Sequence, residues 1–296
     1  MQKELIVFID NEYYPKSQAK ISVYDHGLLY GDGIFEGIRA YNGIVFKLKE
    51  HIDRLYASAH VIMLKIPMTK EEMIQAVIET LKRNNLKDAY IRLVVTRGVG
   101  GLGLDPRKCE IPTIIIITDI IKLQIIEAKE KGITTIIPWV RRDAIDATSH
   151  EVKSLNYLNS ILARIEANIV GVDEAICLNK DGFVCEGVGE NLFIVKQGKL
   201  ITPLATTGAL PGITRNRVIE LANELGYEVF ERNITITELF TSDEAFFTGT
   251  AVEIVPVVEI NKRKIGNGLP GSVTKEIIQE FEKIVRDPKE GIPIEF

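Results

Sequence analysis

Between residues 174 and 203 the chain alternates four short apolar runs with two tight turns. Residues 174–179 and 182–186 flank Lys180-Asp181-Gly182, and residues 191–195 and 200–203 flank Gln197-Gly198. Runs this short, bounded by glycine-bearing turns, are strands that fold back on themselves, so two successive β-hairpins are expected. Further strands are read at 134–140, 244–248 and 252–260. Helices in this half are fewer. One runs from Leu210-Pro211-Gly212-Ile213-Thr214-Arg215 to about Leu225, with Gly226 as its C′ residue, and an amphipathic one spans 274–285.

The first half mixes the two periods. Residues 5–9 alternate into a turn at Asp10-Asn11-Glu12, the start of a hairpin. A glycine-rich block, Tyr24 through Tyr41, follows. Its glycines allow either tight turns in a sheet or a close approach of backbone to something else. A helix over 46–59 points Ile52, Leu55 and Ala59 inward. A second, over 69–84, opens with Thr69 and Glu72 as a capping box. Residues 89–98 form an alternating strand with Tyr90, Arg92 and Val94 on one face and Ile91, Leu93 and Val95 on the other. A glycine-rich loop at 98–103 and an aliphatic strand at 112–118 complete this half. Charge returns at 119–131. The expected division is a first domain over 1–118, a linker over 119–131 and a second domain over 132–296.

A chain of 296 residues with 46% hydrophobic and 26% charged residues builds large cores and is not disordered. Its net charge of -5, with both signs interspersed, disfavours a nucleic-acid partner. The N-terminus lacks the apolar run of a signal peptide, and the longest aliphatic run, 114–117, is far too short to span a bilayer. Cys109, Cys177 and Cys185 suit a reducing cytoplasm; Cys177 and Cys185 flank a hairpin turn and could face each other. No His or Cys pair has ligand spacing, so no metal is expected.

Lys153 follows the strand at 134–140 and precedes a stretch where Leu155, Leu158, Ile161, Leu162, Ile165 and Ile169 recur at helical spacing. That helix is expected to bury most of one side. A lysine held on packed elements can be neutral, and a neutral amine attacks an aldehyde; a solvated lysine at a helix start is the alternative. Arg54 reads either as a surface cation or as an anion ligand. Arg92 beside Tyr90 reads either as a sheet-edge cation or as part of an anion pocket. Glu186 closes an apolar strand and needs a partner or solvent. The N–H groups around Ile213 and Thr214 suit a phosphate as well as plain capping. Gly249-Thr250-Ala251 is another small-residue loop with N–H groups to offer.

Taken in order, Gly31-Asp32-Gly33-Ile34-Phe35-Glu36-Gly37, His51-Ile52-Asp53-Arg54-Leu55, Tyr90-Ile91-Arg92 and Lys153-Ser154-Leu155-Asn156-Tyr157 are followed by Glu186-Gly187 with Glu190-Asn191-Leu192-Phe193, then Pro211-Gly212-Ile213-Thr214-Arg215 and Thr248-Gly249-Thr250-Ala251. This series resembles the fold-type IV pyridoxal-phosphate enzymes, the branched-chain amino-acid aminotransferase family in particular, over nearly the whole chain.

The resemblance implies an α+β chain of two domains, a small α/β domain and a larger pseudo-barrel domain. It implies pyridoxal 5'-phosphate carried on Lys153, with Glu186 facing its ring nitrogen, Tyr157 its 3′-oxygen and Leu210 its ring. Its phosphate would meet Arg54, Ile213, Thr214 and Thr250. Tyr90, Thr250 and Ala251 would face the substrate α-carboxylate, and Arg39 and Arg92 the second carboxylate of glutamate. Tyr30, Phe35, Gly37 and Trp139 would wall the aliphatic pocket. Tyr30 would come from a second subunit, so a homodimer is implied. The implied reaction is transamination between branched-chain L-amino acids and 2-oxoglutarate. Two other readings stay open: a D-amino-acid or (R)-amine aminotransferase or aminodeoxychorismate lyase of the same fold, and a non-catalytic binding or assembly subunit.

Overall fold

The protein is described from a computed structural model, which covers residues 4–120 and 125–295. Part of the expected linker (121–124), the first three N-terminal residues and the last residue of the second domain therefore lie outside the described residues. In chain order the first elements are β1 (Ile6–Ile9), β2 (Glu12–Pro15), α1 (His26–Tyr30), β3 (Gly33–Tyr41), β4 (Ile44–Phe46), α2 (Leu48–Val61), α3 (Lys70–Asn84), β5 (Ala89–Thr96) and β6 (Thr113–Asp119). Then come α4 (Ile125–Lys131), β7 (Ile133–Ile136), α5 (Leu158–Val170), β8 (Glu174–Leu178), β9 (Val184–Gly187), β10 (Asn191–Lys196) and β11 (Lys199–Thr202). The last are α6 (Ile213–Glu224), β12 (Val229–Glu231), α7 (Ile236–Phe240), β13 (Glu244–Gly249), β14 (Glu253–Ile260), β15 (Arg263–Lys264), α8 (Ser272–Ile284) and β16 (Gly291–Pro293). Among the described residues no helix is long and apolar enough to cross a membrane. The contacts gather into two compact units: Met1–Lys122 with Val152–Asn156 and Ile284–Phe296, and Leu123–Glu151 with Tyr157–Lys283.

The first unit is a mixed sheet-and-helix layer. Its strands run β16-β4-β3-β5-β6-β1-β2. The opening hairpin turns on Asp10 and Asn11, both at positive φ, which matches the twist of the strands it joins. Strands β3 and β5 are antiparallel neighbours that pair Phe35 with Val94, Gly37 with Arg92 and Arg39 with Tyr90. Alternation therefore sends Ile34 and Ile38, with Ile91, Leu93 and Val95, into a core shared with Leu48, Ile52, Leu55, Met73, Val77 and Leu81 of α2 and α3. Each such side chain contributes about 1.5–3 kcal/mol by leaving water. Helix α3 begins with the reciprocal Thr69–Glu72 capping box expected from the sequence.

On the β3 side, strand β4 reaches only the end of β3, at Ala40 and Tyr41. The segment around Lys153 occupies the start of that edge instead. Phe35 N–H donates to Lys153 O (3.0 Å), Leu155 N–H donates to Gly33 O (3.0 Å), and Ile34 bridges Ser154. Lys153 is thus anchored on the sheet by its own backbone.

The second unit contains a closed ring of strands. Its sheet runs β12-β11-β10-β13-β14-β7-β8-β9, and β9 returns to β10 through the pair Glu186–Asn191. This is the pseudo-barrel, and its closure point is Glu186 itself. The two hairpins β8–β9 and β10–β11 form as the turns require, the second across Gln197 and Gly198 at positive φ. The core is aliphatic and aromatic, with Ile176, Leu192, Ile194, Phe247 and Val257 buried.

Three local expectations are corrected. The strand at 134–140 stops at Ile136, before Pro138, which has no N–H for a ladder. Cys177 pairs with Glu186 rather than standing opposite Cys185, because a bulge shifts the β8–β9 register after Cys177. Helix α5 buries Ser160, Ala163 and Ala167, not its large apolar stripe; Leu158 is 66% and Ile169 78% exposed, and Ile161, Leu162 and Ile165 are also exposed. Small residues let α5 lie close on its own unit, which leaves the branched side chains outward.

Candidate active site

The first unit gathers most of the expected substrate residues on one sheet face. Since Phe35, Gly37 and Arg39 alternate along β3 and pair with Val94, Arg92 and Tyr90, all of them share the side opposite the core. The Lys153 amine lies 4.6 Å from the centre of the Phe35 ring. The Arg92 guanidinium carbon lies 4.5 Å from the centre of the same ring and 5.5 Å from that of Tyr90. A Cβ on Gly37 would come within 2.3 Å of the Tyr90 hydroxyl, so any larger residue there displaces that ring. Arg39 covers Tyr41 at 4.6 Å. Lys153, Phe35, Gly37, Tyr90 and Arg92 therefore come together as one wall.

Tyr30 is held differently, at the end of α1. Its hydroxyl accepts from Gly103 N–H (2.9 Å), and its ring meets the edge of His26. Trp139 is 79% exposed in this chain.

Arg54 is not a surface cation. Its Nε and Nη2 donate to Glu36 Oε1 and Oε2 at 2.8 and 2.7 Å. His51 Nδ1 also lies 2.8 Å from Oε2 of that carboxylate. Glu36 is fully buried, because β3 sends it to the helix side with Ile34 and Ile38. Burial opposes its charge, yet Arg54 and then His51 hold its pKa down at about 2. Burial also pushes the His51 imidazole below its ordinary value, against the pull of Glu36. Neither Glu36 nor His51 was singled out from the sequence. The signal was there: a carboxylate on the apolar face of a strand must have a partner.

In the second unit Glu186 sits at the barrel's closure. Its Oε2 accepts from Leu210 N–H (2.9 Å) and from Asn191 Nδ2 (3.2 Å), while Arg142 Nη2 lies 3.3 Å from Oε1. Asn191 also donates to Leu210 O (2.8 Å), which ties the lead-in of α6 to the barrel. Arg142, unremarked in the sequence because Arg141-Arg142 reads as a solvated pair, is buried. It bonds Ser160 Oγ (2.9 Å) and Gly187 O (2.5 Å). Burial opposes its charge, and Glu186 outweighs that and raises its pKa. The two Cys thiols here are pushed up by burial, Cys177 to about 11 and Cys185 to about 12, so neither is a nucleophile at neutral pH.

Helix α6 starts at Gly212 with no side-chain cap, so its first N–H groups, those of Ile213 and Thr214 among them, have no cap of that kind. A Cβ on Gly212 would strike Asn191 Oδ1 at 2.0 Å. Thr250 and Ala251 lie in the loop after β13. Two buried polar atoms beside Glu186's neighbours, Arg142 Nε and Thr248 Oγ1, have no hydrogen-bond partner among the described residues. Tyr157 is the N-cap residue of α5.

Residues 33–260 match the model of the amino-transferase class IV family. The chain belongs to the class IV aminotransferases. A Methanocaldococcus jannaschii relative, whose name gives branched-chain-amino-acid aminotransferase provisionally, is 56% identical over 278 residues, covering 94% of this chain and 96% of its own. Among solved structures, the branched-chain aminotransferase of Thermoproteus uzoniensis with norvaline superposes with a TM-score of 0.93 at 38% identity, covering 99% of this chain and 100% of that one. The branched-chain amino acid aminotransferase of Thermobaculum terrenum in its PLP form matches with a TM-score of 0.92 at 31% identity, covering 100% of both. The chemistry of pyridoxal phosphate, the cofactor of a class IV aminotransferase, suits the donors of each unit: a half-buried lysine and an arginine fork in the first, a buried carboxylate and an uncapped helix start in the second.

Proposed function

We propose that this protein transfers the amino group of leucine, isoleucine and valine, as L-amino acids, to 2-oxoglutarate, giving branched 2-oxo acids and L-glutamate. The observation that carries the reading is the wall in which the Lys153 amine and the Arg92 guanidinium both lie over the Phe35 ring, 4.6 and 4.5 Å from its centre. One surface then offers an apolar ring for an aliphatic side chain and a cation for the second carboxylate of glutamate. Arg39 is the alternative cation. A pocket of this kind separates aliphatic side chains by only about 1–3 kcal/mol per methylene, so all three branched-chain substrates are accepted.

Bound pyridoxal phosphate supplies the electron sink that an amino acid lacks. Lys153 would hold it, and as a neutral amine would move a proton from the substrate Cα. Glu186, with Arg142 Nη2 3.3 Å from its Oε1, would hold the proton of the ring nitrogen. Tyr157 would donate to the 3′-oxygen and Leu210 would pack beside the ring. Arg54, the N–H groups of Ile213 and Thr214, and Thr250 would hold the phosphate. Tyr90 and the Thr250-Ala251 loop take the α-carboxylate. The competent unit is a homodimer, which the outward apolar face of α5 supports, and it works in the cytoplasm.

The test is a half-reaction screen on the purified, cofactor-loaded protein with L-Leu, L-Glu, D-Ala and (R)-1-phenylethylamine. L-Leu and L-Glu are expected to bleach the visible band of the bound cofactor. Bleaching by D-Ala or the amine without bleaching by L-Leu would overturn the substrate reading.

A further inference from the structure

We propose that Glu36 and His51 are positioning residues for anion binding: they fix the Arg54 guanidinium in the plane from which it holds the cofactor's phosphate. The inference rests on the reading that Arg54 is a phosphate ligand. Its own content is that two buried residues, neither of which meets the phosphate, set the affinity for it.

The geometry is that of a fork clamped at one edge. Glu36 takes Nε and Nη2 of Arg54 in parallel, at 2.8 and 2.7 Å. A bidentate carboxylate fixes both the plane of a guanidinium and the direction of its remaining N–H groups, which a single hydrogen bond does not. Glu36 is in turn fixed. It is fully buried on β3, among side chains that pack against α2, and His51 holds its Oε2 from the same helix that carries Arg54. His51 and Arg54 are three residues apart, so both reach the same carboxylate from one helix face. The carboxylate is ionised at every working pH, which keeps the fork charge-assisted. Lys153 lies in the same unit, its backbone N–H directed to Ser58 Oγ of α2 (3.3 Å). Strand β3 thus braces Lys153 through its edge and Arg54 through its buried face.

Two physical effects of Glu36 on a bound phosphate oppose each other. Its negative charge repels the anion and drains the field of Arg54, so removing it would tighten phosphate binding. Its fork removes the rotational freedom of a long side chain before the ligand arrives, so removing it would loosen binding. The inference is that the second effect is larger. A preformed arginine needs no ordering when phosphate binds, whereas the repulsion is offset by the arginine itself at closer range.

The sign of the change therefore decides. The measured quantities are the dissociation constants of pyridoxal phosphate and of phosphate-free pyridoxal, by absorbance titration of the apoprotein, with inorganic phosphate as a competitor. Glu36→Gln is expected to weaken pyridoxal phosphate by about tenfold or more and to leave pyridoxal within about twofold. Glu36→Asp keeps the charge but pulls the carboxylate back by one carbon, and should give a smaller loss in the same ligand. His51→Leu should lose affinity selectively as well, and His51→Asn, which keeps a donor near the Nδ1 position, should restore it. Unchanged or tighter pyridoxal phosphate binding in Glu36→Gln overturns the proposal, as does an equal loss for both ligands. Should Glu36→Gln not fold, judged by circular dichroism of the apoprotein, the His51 pair decides in the same way. Arg54→Ala is the control for the underlying reading. If it fails to distinguish the two ligands, Arg54 is no phosphate ligand and that reading falls; if it distinguishes them while Glu36→Gln and His51→Leu do not, only the positioning role falls.

Discussion

Glu186 and Glu36 show how one residue type is put to two uses by its surroundings. Each is a buried carboxylate facing an arginine, but Glu36 gives both oxygens to the Arg54 fork, whereas Glu186 accepts from Leu210 N–H and Asn191 Nδ2 and has Arg142 at its other oxygen. Glu186→Gln should retain the cofactor and slow transamination by about 100-fold or more, since one preorganised charge is removed from the reacting ring; stopped-flow half-reactions with L-Leu measure this, and an unchanged rate would assign ring protonation to another group. Glu36 makes a different prediction. Its folded pKa, about 2, lies below the ordinary carboxylate value, so its contribution is complete above about pH 4.5 and is lost as pH falls through 2. His51, depressed by burial, adds a loss that begins at higher pH, as the unfolded imidazole takes up protons that the folded one refuses. Stability from urea titrations should therefore fall on acidification in two windows, the first below the ordinary imidazole value. Glu36→Gln should shrink the lower window, and a lower window that persists unchanged would contradict the assignment.

At the scale of elements, the hairpins, the capping box on α3 and the alternation of β5 were legible because turn chemistry and period are local properties. Strand β7 was overextended because the apolar run continues to Val140 while the ladder ends ahead of Pro138. The candidate site was legible as residues and not as connections. Lys153, Arg54 and Glu186 stand out by motif, but the partners of Glu36, Arg142 and Asn191 become visible only when β3 meets α2 and β9 meets β10. Long-range pairing is what one sequence does not print. The β3–β5 ladder makes one prediction of its own. Gly37→Ala should place a methyl 2.3 Å from the Tyr90 hydroxyl and push that ring off its strand face. The Michaelis constant for L-Leu should rise by about tenfold, with a melting temperature lowered by a few degrees. Unchanged kinetics would mean that Tyr90 does not line the substrate pocket.

At the scale of the whole molecule, the apolar stripe of α5 is the clearest divergence between pattern and packing. Its period predicts burial, and within one chain Leu158, Ile161, Leu162, Ile165 and Ile169 remain exposed. The two statements agree if a second copy covers the stripe, for a periodic apolar face left in water disfavours a monomer. Ile161→Glu with Ile165→Glu should shift the protein from dimer to monomer in sedimentation velocity and reduce activity with it; a double variant that stays dimeric would place the interface elsewhere. The central claim, that Lys153 carries the aldehyde cofactor, has the most direct test of all. The protein is loaded with pyridoxal phosphate, reduced with borohydride, digested and mapped by mass spectrometry. The cofactor mass is predicted on the peptide containing Lys153 and nowhere else, and it should vanish in Lys153→Ala. A label on another lysine, or an active and coloured Lys153→Ala protein, would contradict the account.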